Sequence, residues 1–300
     1  MEKQQTTSLS TNAQKSAAPS KWQDFAALVK FRLNITVVFS SVMAYLIAAG
    51  GVVDWSVVMI LALGGFFVTG AANTLNEVLE ADFDVMMKRT QNRPIASGRM
   101  TREEGILWAG MMSLMGISLM SLFNMWAAMF SIISLITYAF IYTPMKRVSP
   151  FAVTIGAVPG ALPALIGCVA FEGEVTYLAL FLFTLQFLWQ FPHFWAIGWL
   201  GNEDYKKAGF KLLPFGSKGP DEKAGWLSMW YALALVPLGV FPYFMGTAGM
   251  VSAIILPVLG VIYAAYGYNF YKKNDRVSAL ATMFSSFAYL PIALFVILVF

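Results

Sequence analysis

Residues 55–84, WSVVMILALGGFFVTGAANTLNEVLEADFD, carry an apolar run that continues without a break into a cluster of acidic side chains. The run over 55–79 is long enough to cross roughly 30 Å of hydrocarbon as a helix. Stretches of the same character recur along the chain. We predict nine transmembrane helices in all, at about 33–50, 55–79, 104–122, 125–143, 151–170, 176–199, 226–245, 248–270 and 278–300.

The composition also predicts a membrane protein. The 300 residues are 58% hydrophobic and 12% charged, whereas soluble chains carry roughly 25% charged residues. A helix satisfies its own backbone hydrogen bonds in lipid, so the predicted fold class is an all-α polytopic membrane protein. Residues 1–21 contain no apolar run and are predicted to be a disordered cytoplasmic tail, ahead of one transmembrane domain over 22–300.

The charged residues predict the orientation of the chain. All 20 lysines and arginines fall on one side of the predicted membrane, and the connections on the other side carry only Asp54, Glu172 and Glu174. The positive-inside rule then places the N-terminus in the cytoplasm and the C-terminus outside. The small net charge of +4 fits loops that face an anionic leaflet better than a nucleic-acid partner. We expect function at the cytoplasmic face, where two loops exceed twenty residues.

The chain has one cysteine, Cys168, and one histidine, His193. This count excludes a disulfide framework and a His/Cys metal cluster. Cys168 lies in an apolar run and is interpreted as a small buried residue. If the protein binds a divalent metal, Asp, Glu and Asn must supply the ligands, and these oxygen donors favour Mg²⁺.

Three oxygen-bearing side chains follow one face of the helix that ends the quoted stretch. Asn76, Glu80 and Asp84 are spaced i, i+4 and i+8, which aligns them in a stripe. An arginine- and lysine-rich segment, MMKRTQNRPIASGRM (86–100), comes directly after them. Mg²⁺ is often bound by one or two carboxylates plus substrate phosphates, so this pattern fits a Mg²⁺–diphosphate site. It fits equally well a set of ordinary, mutually paired charges at the end of a membrane helix.

Several motifs together resemble a known family, the UbiA-type intramembrane prenyltransferases, in the branch that farnesylates protohaem IX. The motifs are NEVLEADFD (76–84), MKRT (87–90), RP (93–94), YTPMKR (142–147), IGAVPGALP (155–163), WQFPHFW (189–195), DY (204–205), AG (208–209) and LP (213–214). They occur in the family's order, and the resemblance extends from about residue 28 to the C-terminus. The number of predicted helices agrees with it.

The resemblance implies an enzyme with a cytoplasm-facing cavity in a bacterial-type inner membrane. It would transfer a farnesyl group from farnesyl diphosphate to a vinyl group of haem b, giving haem O and diphosphate, with Mg²⁺ as cofactor and Mn²⁺ as an alternative ion. Implied partners besides the lipid bilayer are haem A synthase or terminal oxidase subunits. Two other functions stay open: prenylation of an aromatic acid in quinone synthesis, and membrane transport.

The resemblance also implies roles for individual residues. Those carried over as catalytic and metal-binding are Asn76, Glu80, Asp84 and Asp204. Those carried over as diphosphate-binding are Lys88, Arg89, Arg93, Lys146, Arg147 and Lys206. The family's second motif normally has two acids four residues apart, but this chain has Leu200 and Asp204, with Glu203 adjacent to Asp204. The number of Mg²⁺ ions is therefore left open.

His193 is the sixth predicted span's most unusual residue. A lone histidine on an apolar helix is commonly a hydrogen-bonded core residue, but polar groups inside a membrane are costly and usually functional. Imidazole is also a common ligand of haem iron. We therefore interpret His193 as a catalytic residue, either as a haem ligand or in proton handling, with Trp189 and Gln190 beside it in the haem site. The surrounding aromatic residues fit packing equally well.

Overall fold

The computed structural model describes residues 19–214 and 222–300, and these residues form helices and loops without a β-strand. Residues 1–18 of the predicted tail, and Lys218 among the basic residues, lie outside the described residues. The short helices are α1 (Lys21–Leu28), α6 (Thr143–Met145), α9 (Asn202–Lys207) and α11 (Phe241–Phe244). The longer ones are α2 (Phe31–Ala49), α3 (Trp55–Asp84), α4 (Arg102–Ser121), α5 (Met125–Ile136), α7 (Ala152–Glu172), α8 (Tyr177–Leu200), α10 (Glu222–Leu238), α12 (Met250–Lys273) and α13 (Arg276–Val299).

Eight helical segments in the described part of the chain are long and apolar enough to cross a membrane. Helix α8 is not among them, although its 24 residues match the others in length. It carries Gln186, Gln190 and His193, and these polar side chains lower its mean hydropathy. The all-α polytopic fold is thus confirmed, while nine spans and the orientation of the termini stay predictions.

Helix α3 continues through the acidic stripe to Asp84, as its sequence predicted. Its 30 residues span about 45 Å at a rise of about 1.5 Å per residue, against a hydrocarbon core of roughly 30 Å. The Asp54 side chain accepts a hydrogen bond from the backbone N–H of Ser56 and caps the first turn. The helix is thus longer than a membrane span requires, and the position of its last turns at the membrane surface stays a prediction.

Helix α7 lies at the centre of the bundle and packs against α2, α5 and α8. Helix α3 packs against α2 and α4, while α13 contacts α12, α8 and α2. Close approach at the centre depends on a small residue, because a Cβ on Gly167 would lie 2.0 Å from the Ser41 carbonyl oxygen of α2. Cys168 beside it is fully buried, as expected.

Polar contacts tie the loops together at the end of the bundle where α3 ends. Arg99 pairs with Asp24 of α1 at 2.8 Å, and Lys146 pairs with Glu80 of α3 at 2.7 Å. At the opposite end, the Asn124 side chain donates a hydrogen bond to the Val169 carbonyl oxygen, and the carboxylates of Asp54 and Glu172 accept hydrogen bonds from uncharged groups. The described part of the chain thus has one strongly charged end.

We expect Gly167→Ala to destabilise the bundle, because the new methyl group would collide with the backbone of α2. Overpacking of this kind costs about 1–3 kcal/mol. The measurement is the free energy of unfolding by denaturant in mixed micelles.

Gly110→Ala is the matched control, since a Cβ on Gly110 of α4 would meet nothing within 4 Å. We expect it to be neutral or to stabilise by up to about 1 kcal/mol through helix propensity. Equal stability of the two variants would contradict the close packing of α2 and α7.

Candidate active site

Two adjoining cavities open between the helices at the charged end. The polar cavity is lined by charged and amide side chains of α3, of the loops and of the turn between α1 and α2, including Lys30, Asn76, Glu80, Asp84, Arg89, Arg93 and Lys146. The apolar cavity lies beside it among α2, α3, α7, α8 and α13. Five residues line both cavities: Leu33, Tyr138, Tyr142, His193 and Phe194. We call this shared boundary the junction.

The predicted acidic stripe faces the polar cavity. Asn76, Glu80 and Asp84 are all buried and all line it. The Asn76 amide oxygen accepts a hydrogen bond from Lys30 Nζ at 2.8 Å, and its amide nitrogen donates to Thr143 Oγ1 at 3.1 Å. The i, i+4, i+8 spacing therefore brings the three side chains to one site.

Basic side chains neutralise both carboxylates of the stripe. Lys146 Nζ lies 2.7 Å from Glu80 Oε1, and Arg93 Nη1 lies 2.6 Å from Asp84 Oδ2. Arg93 Nη1 is also 3.9 Å from Glu80 Oε2. Because buried carboxylates are costly without a partner, these pairs allow the stripe to be buried.

One carboxylate oxygen of the stripe accepts no hydrogen bond within the described part of the chain. Asp84 Oδ1 is buried and has no hydrogen-bond partner among the described residues. Buried polar atoms are generally hydrogen-bonded, so such an exception in a charged cavity points to a missing ligand.

The two acids that flank the stripe serve other contacts. Glu77 is fully buried and accepts a hydrogen bond from the backbone N–H of Ile95 at 3.0 Å, which anchors the loop after α3. Asp82 faces outward and pairs with Arg102 at the start of α4. Neither residue lines the polar cavity.

A π-helical turn brings aromatic side chains to the junction. Helix α5 continues into π-helix at Thr137–Tyr142 before α6, and π-helical turns are frequent at functional sites. Tyr138 and Tyr142 both line the junction. Lys146 Nζ lies 4.5 Å from the centre of the Tyr142 ring, so the turn also places this lysine between an aromatic face and Glu80.

Lys30 is a site residue that sequence reasoning missed. It separates α1 from α2 with a left-handed backbone (φ 49°), a conformation that costs energy for a residue with a Cβ. Its side chain reaches Asn76 across the polar cavity. Burial, together with the nearby Arg93 and Lys146, lowers the pKa of Lys30 to about 7, so an anion in the cavity would favour its charged form.

Tyr205 was also missed as a site residue, although it belongs to the quoted Asp204–Tyr205 motif. It lines the polar cavity, and its hydroxyl oxygen accepts a hydrogen bond from Arg89 Nη2 at 3.4 Å. Arg89 also stacks over the Tyr205 ring at 5.8 Å from its centre. This contact joins the loop after α3 to helix α9.

Four predicted site residues do not line the described cavities: Lys88, Arg147, Asp204 and Lys206. Lys88 and Lys206 are exposed. Arg147 lies over the Phe83 ring at 3.9 Å, and Asp204 pairs with Lys207 at 3.5 Å. The structure brings the other nine predicted residues to the two cavities.

His193, Trp189 and Gln190 lie along the apolar cavity, with His193 at the junction. His193 Nδ1 is 2.7 Å from Ser286 Oγ of α13. The Trp189 ring stacks on the imidazole at an interplanar angle of 14°. Gln190 is held by the Ala157 and Gln186 carbonyl oxygens and requires Gly160, whose Cβ would lie 1.9 Å from Gln190 Oε1.

The donor set fits a metal ion that is shared with a substrate. In residues 19–214 and 222–300, no group of three or more His, Cys, Asp and Glu side chains converges to hold a metal alone. Two carboxylates and one amide line the polar cavity, one with a free buried oxygen. Mg²⁺ commonly takes one or two carboxylates plus substrate phosphates, and the nearby basic side chains suit those phosphates.

Comparison with known proteins identifies the family of the chain. Residues 37–290 match the model of the UbiA prenyltransferase family. A relative from Cytophaga hutchinsonii, named protoheme IX farnesyltransferase, is 43% identical over 91% of this chain and 96% of its own length. A relative of the same name from Flavobacterium johnsoniae is 39% identical over 92% of this chain and 93% of its own.

Solved structures share the fold. A digeranylgeranylglyceryl phosphate synthase superposes with a TM-score of 0.77 at 18% identity, covering 93% of this chain and 97% of that one. A UbiA homolog from Archaeoglobus fulgidus, bound to GPP and Mg²⁺, has a TM-score of 0.64 at 17% identity, covering 91% and 99%. Because the family model matches residues 37–290 of the chain, the chain belongs to the UbiA prenyltransferase family.

Proposed function

We propose that this chain transfers a farnesyl group from farnesyl diphosphate to a vinyl group of haem b. The observation that carries the proposal is the junction, where a cavity suited to diphosphate opens into an apolar cavity lined by the chain's single histidine. The names of the relatives, which match over nine-tenths of this chain, support the same reaction. The terminal vinyl carbon bonds to C1 of the farnesyl group as diphosphate leaves, and water then adds to the neighbouring vinyl carbon with loss of a proton, which gives haem O.

The diphosphate binds in the polar cavity. Asn76, Glu80 and Asp84 would hold Mg²⁺, or Mn²⁺ in its place, which when bound neutralises charge that develops on the leaving diphosphate. Lys30, Arg93 and Lys146 are the cavity's buried or half-buried cations. We infer that they leave their carboxylate and amide partners for phosphate oxygens, and this contact stabilises the departing group.

Arg89 and Tyr205 close the outer side of the polar cavity through their mutual contact. This position suits the terminal phosphate oxygens, which carry the most charge and are the last to leave water. Lys88, Arg147, Asp204 and Lys206 are proposed to act from farther out, on an approaching diphosphate or through other ligands.

The farnesyl chain and the haem bind in the apolar cavity. Its walls keep water from the allylic cation until the vinyl carbon attacks it, since water would otherwise capture the cation. His193 and Trp189 present ring systems at the place where haem must meet the farnesyl carbon. We propose haem ligation or proton handling for His193, with Trp189 and Gln190 lining the haem site.

The polarised charge supports an inner-membrane location with the site facing the cytoplasm. Every lysine and arginine of the sequence falls on the predicted cytoplasmic side. The proposal includes transfer of haem O to haem A synthase or to terminal oxidase subunits. A transport function is disfavoured because the ionisable cluster lies at one end of the bundle, whereas transporters bind substrate near the midplane.

The decisive experiment incubates the purified protein in lipid nanodiscs with haem b, farnesyl diphosphate and Mg²⁺. We expect haem O, identified by mass spectrometry, and no product when EDTA replaces Mg²⁺. Parallel reactions offer 4-hydroxybenzoate as the acceptor. Prenylation of hydroxybenzoate without haem O would move the protein to the quinone branch of the family.

Asp84→Ala should lower turnover by more than about 100-fold, because it removes a carboxylate from the proposed metal–diphosphate site and, among the described ion pairs, leaves Arg93 with only its longer contact to Glu80. The measurement is the initial rate of haem O formation, with the folded fraction checked by size-exclusion chromatography.

Asp82→Ala is the matched control on the same helix. The Asp82 side chain is 70% exposed and pairs with Arg102 away from the cavity, so we expect less than a threefold change. Similar losses in both variants would contradict the assignment of Asp84 to the site.

His193→Ala separates the two proposed roles of this residue. As a haem ligand, His193 sets the absorption spectrum of bound haem b, and its removal should shift that spectrum and weaken binding. As a proton-handling group, it should lower turnover and leave the spectrum unchanged. Unchanged turnover with an unchanged spectrum would show that His193 only fills space.

A further inference from the structure

The single histidine is held by a hydroxyl group from another helix. His193 Nδ1 on α8 lies 2.7 Å from Ser286 Oγ on α13. Ser286 is fully buried, and its hydroxyl also lies 2.5 Å from the Met283 carbonyl oxygen one turn earlier. The hydroxyl therefore lies between a ring nitrogen and a carbonyl group, with the Tyr263 hydroxyl of α12 also beside it.

Counting protons decides which group donates. A serine hydroxyl has one proton and two acceptor lone pairs, whereas a carbonyl oxygen can only accept. The Ser286 proton therefore goes to the Met283 carbonyl oxygen, and Ser286 Oγ accepts from His193. Nδ1 must then carry the imidazole proton.

The opposite tautomer satisfies fewer groups. If Ser286 donated to an unprotonated Nδ1, the short contact with the Met283 carbonyl would lose its proton. Two oxygen atoms, Ser286 Oγ and the Met283 carbonyl oxygen, would then lie 2.5 Å apart with no proton between them. Among the described residues, His193 Nδ1 would still have only its one hydrogen bond to Ser286, so the exchange loses one hydrogen bond and gains none.

The ring is also fixed in orientation. Trp189 stacks on one face, and the Phe287 ring lies edge-on at 4.9 Å between ring centres. Trp189 is in turn held by a hydrogen bond from its Nε1 to the Ser286 carbonyl oxygen at 2.8 Å and by Tyr263, whose hydroxyl donates to the Trp189 carbonyl. These contacts leave Nε2 as the nitrogen available at the junction.

We propose that Ser286 is a positioning residue that holds His193 in the Nδ1-protonated tautomer and so presents the Nε2 lone pair to the junction. In this state His193 accepts a proton or a metal bond through Nε2 and cannot donate from it. The use of that lone pair in the reaction rests on the proposed function. The tautomer itself does not.

The presence of one histidine makes the test unambiguous. The protein is labelled with ¹⁵N-histidine, reconstituted in lipid bilayers without substrates, and studied by magic-angle-spinning NMR, in which protonated and unprotonated ring nitrogens have separate shifts. We expect a protonated Nδ1 and an unprotonated Nε2, with this tautomer favoured about fivefold or more, the factor for one net hydrogen bond.

Two variants separate positioning from general packing. Ser286→Ala should move population to the other tautomer, and Ser286→Thr, which keeps the hydroxyl, should restore the wild-type spectrum. Ser285→Ala is the matched control, because the Ser285 hydroxyl donates to the Thr282 carbonyl oxygen in the same way but does not contact His193. We expect the spectrum of Ser285→Ala to match the wild type.

A protonated Nε2 in the wild type, or an unchanged ratio in folded Ser286→Ala, would overturn the proposal. The readout does not depend on turnover. If the wild type makes no haem O but shows the expected tautomer, the proposed function fails and the positioning role of Ser286 stands. If haem O forms and Nε2 is protonated, the reverse holds.

Discussion

The structure depends on charge compensation at the edge of the membrane. Asn76, Glu80 and Asp84 are buried on one helix, and removing carboxylates from water is costly unless cations accompany them. Lys30, Arg93 and Lys146 supply those cations from three separate segments of the chain. The turn between α1 and α2, which carries Lys30, and the loops that carry Arg93 and Lys146 must therefore fold over the end of α3. This arrangement forms the polar cavity.

Much of the fold could be predicted because apolar length and charge are properties of local sequence. Helical spacing alone predicted that α3 continues to Asp84. It also predicted that Asn76, Glu80 and Asp84 face one site. The resemblance to a family added Lys146, and the cost of a polar group inside a membrane helix drew attention to His193. Sequence periodicity was sufficient where one helix carries the whole pattern.

The rest of the site depends on contacts that periodicity does not encode. Lys30 reaches Asn76 only because its backbone is left-handed, and nothing in the local sequence predicts that conformation for a lysine. Tyr205 and Ser286 contact site residues that lie 116 and 93 positions away in the sequence, respectively. Arg147, next to Lys146 in the sequence, turns instead onto the Phe83 ring, and its neighbour's position does not predict this contact.

The π-helical turn at Thr137–Tyr142 has a consequence for which side chains form this wall of the cavity. A π-turn inserts one extra residue into a helix, and one residue is worth about 100° of rotation. The part of α5 before the turn packs against α7 and α4, while Tyr138 and Tyr142 in the turn and Lys146 after it line the polar cavity. Without the extra residue, side chains after the turn would point about 100° away from their present direction, so the direction of the aromatic wall depends on one inserted residue.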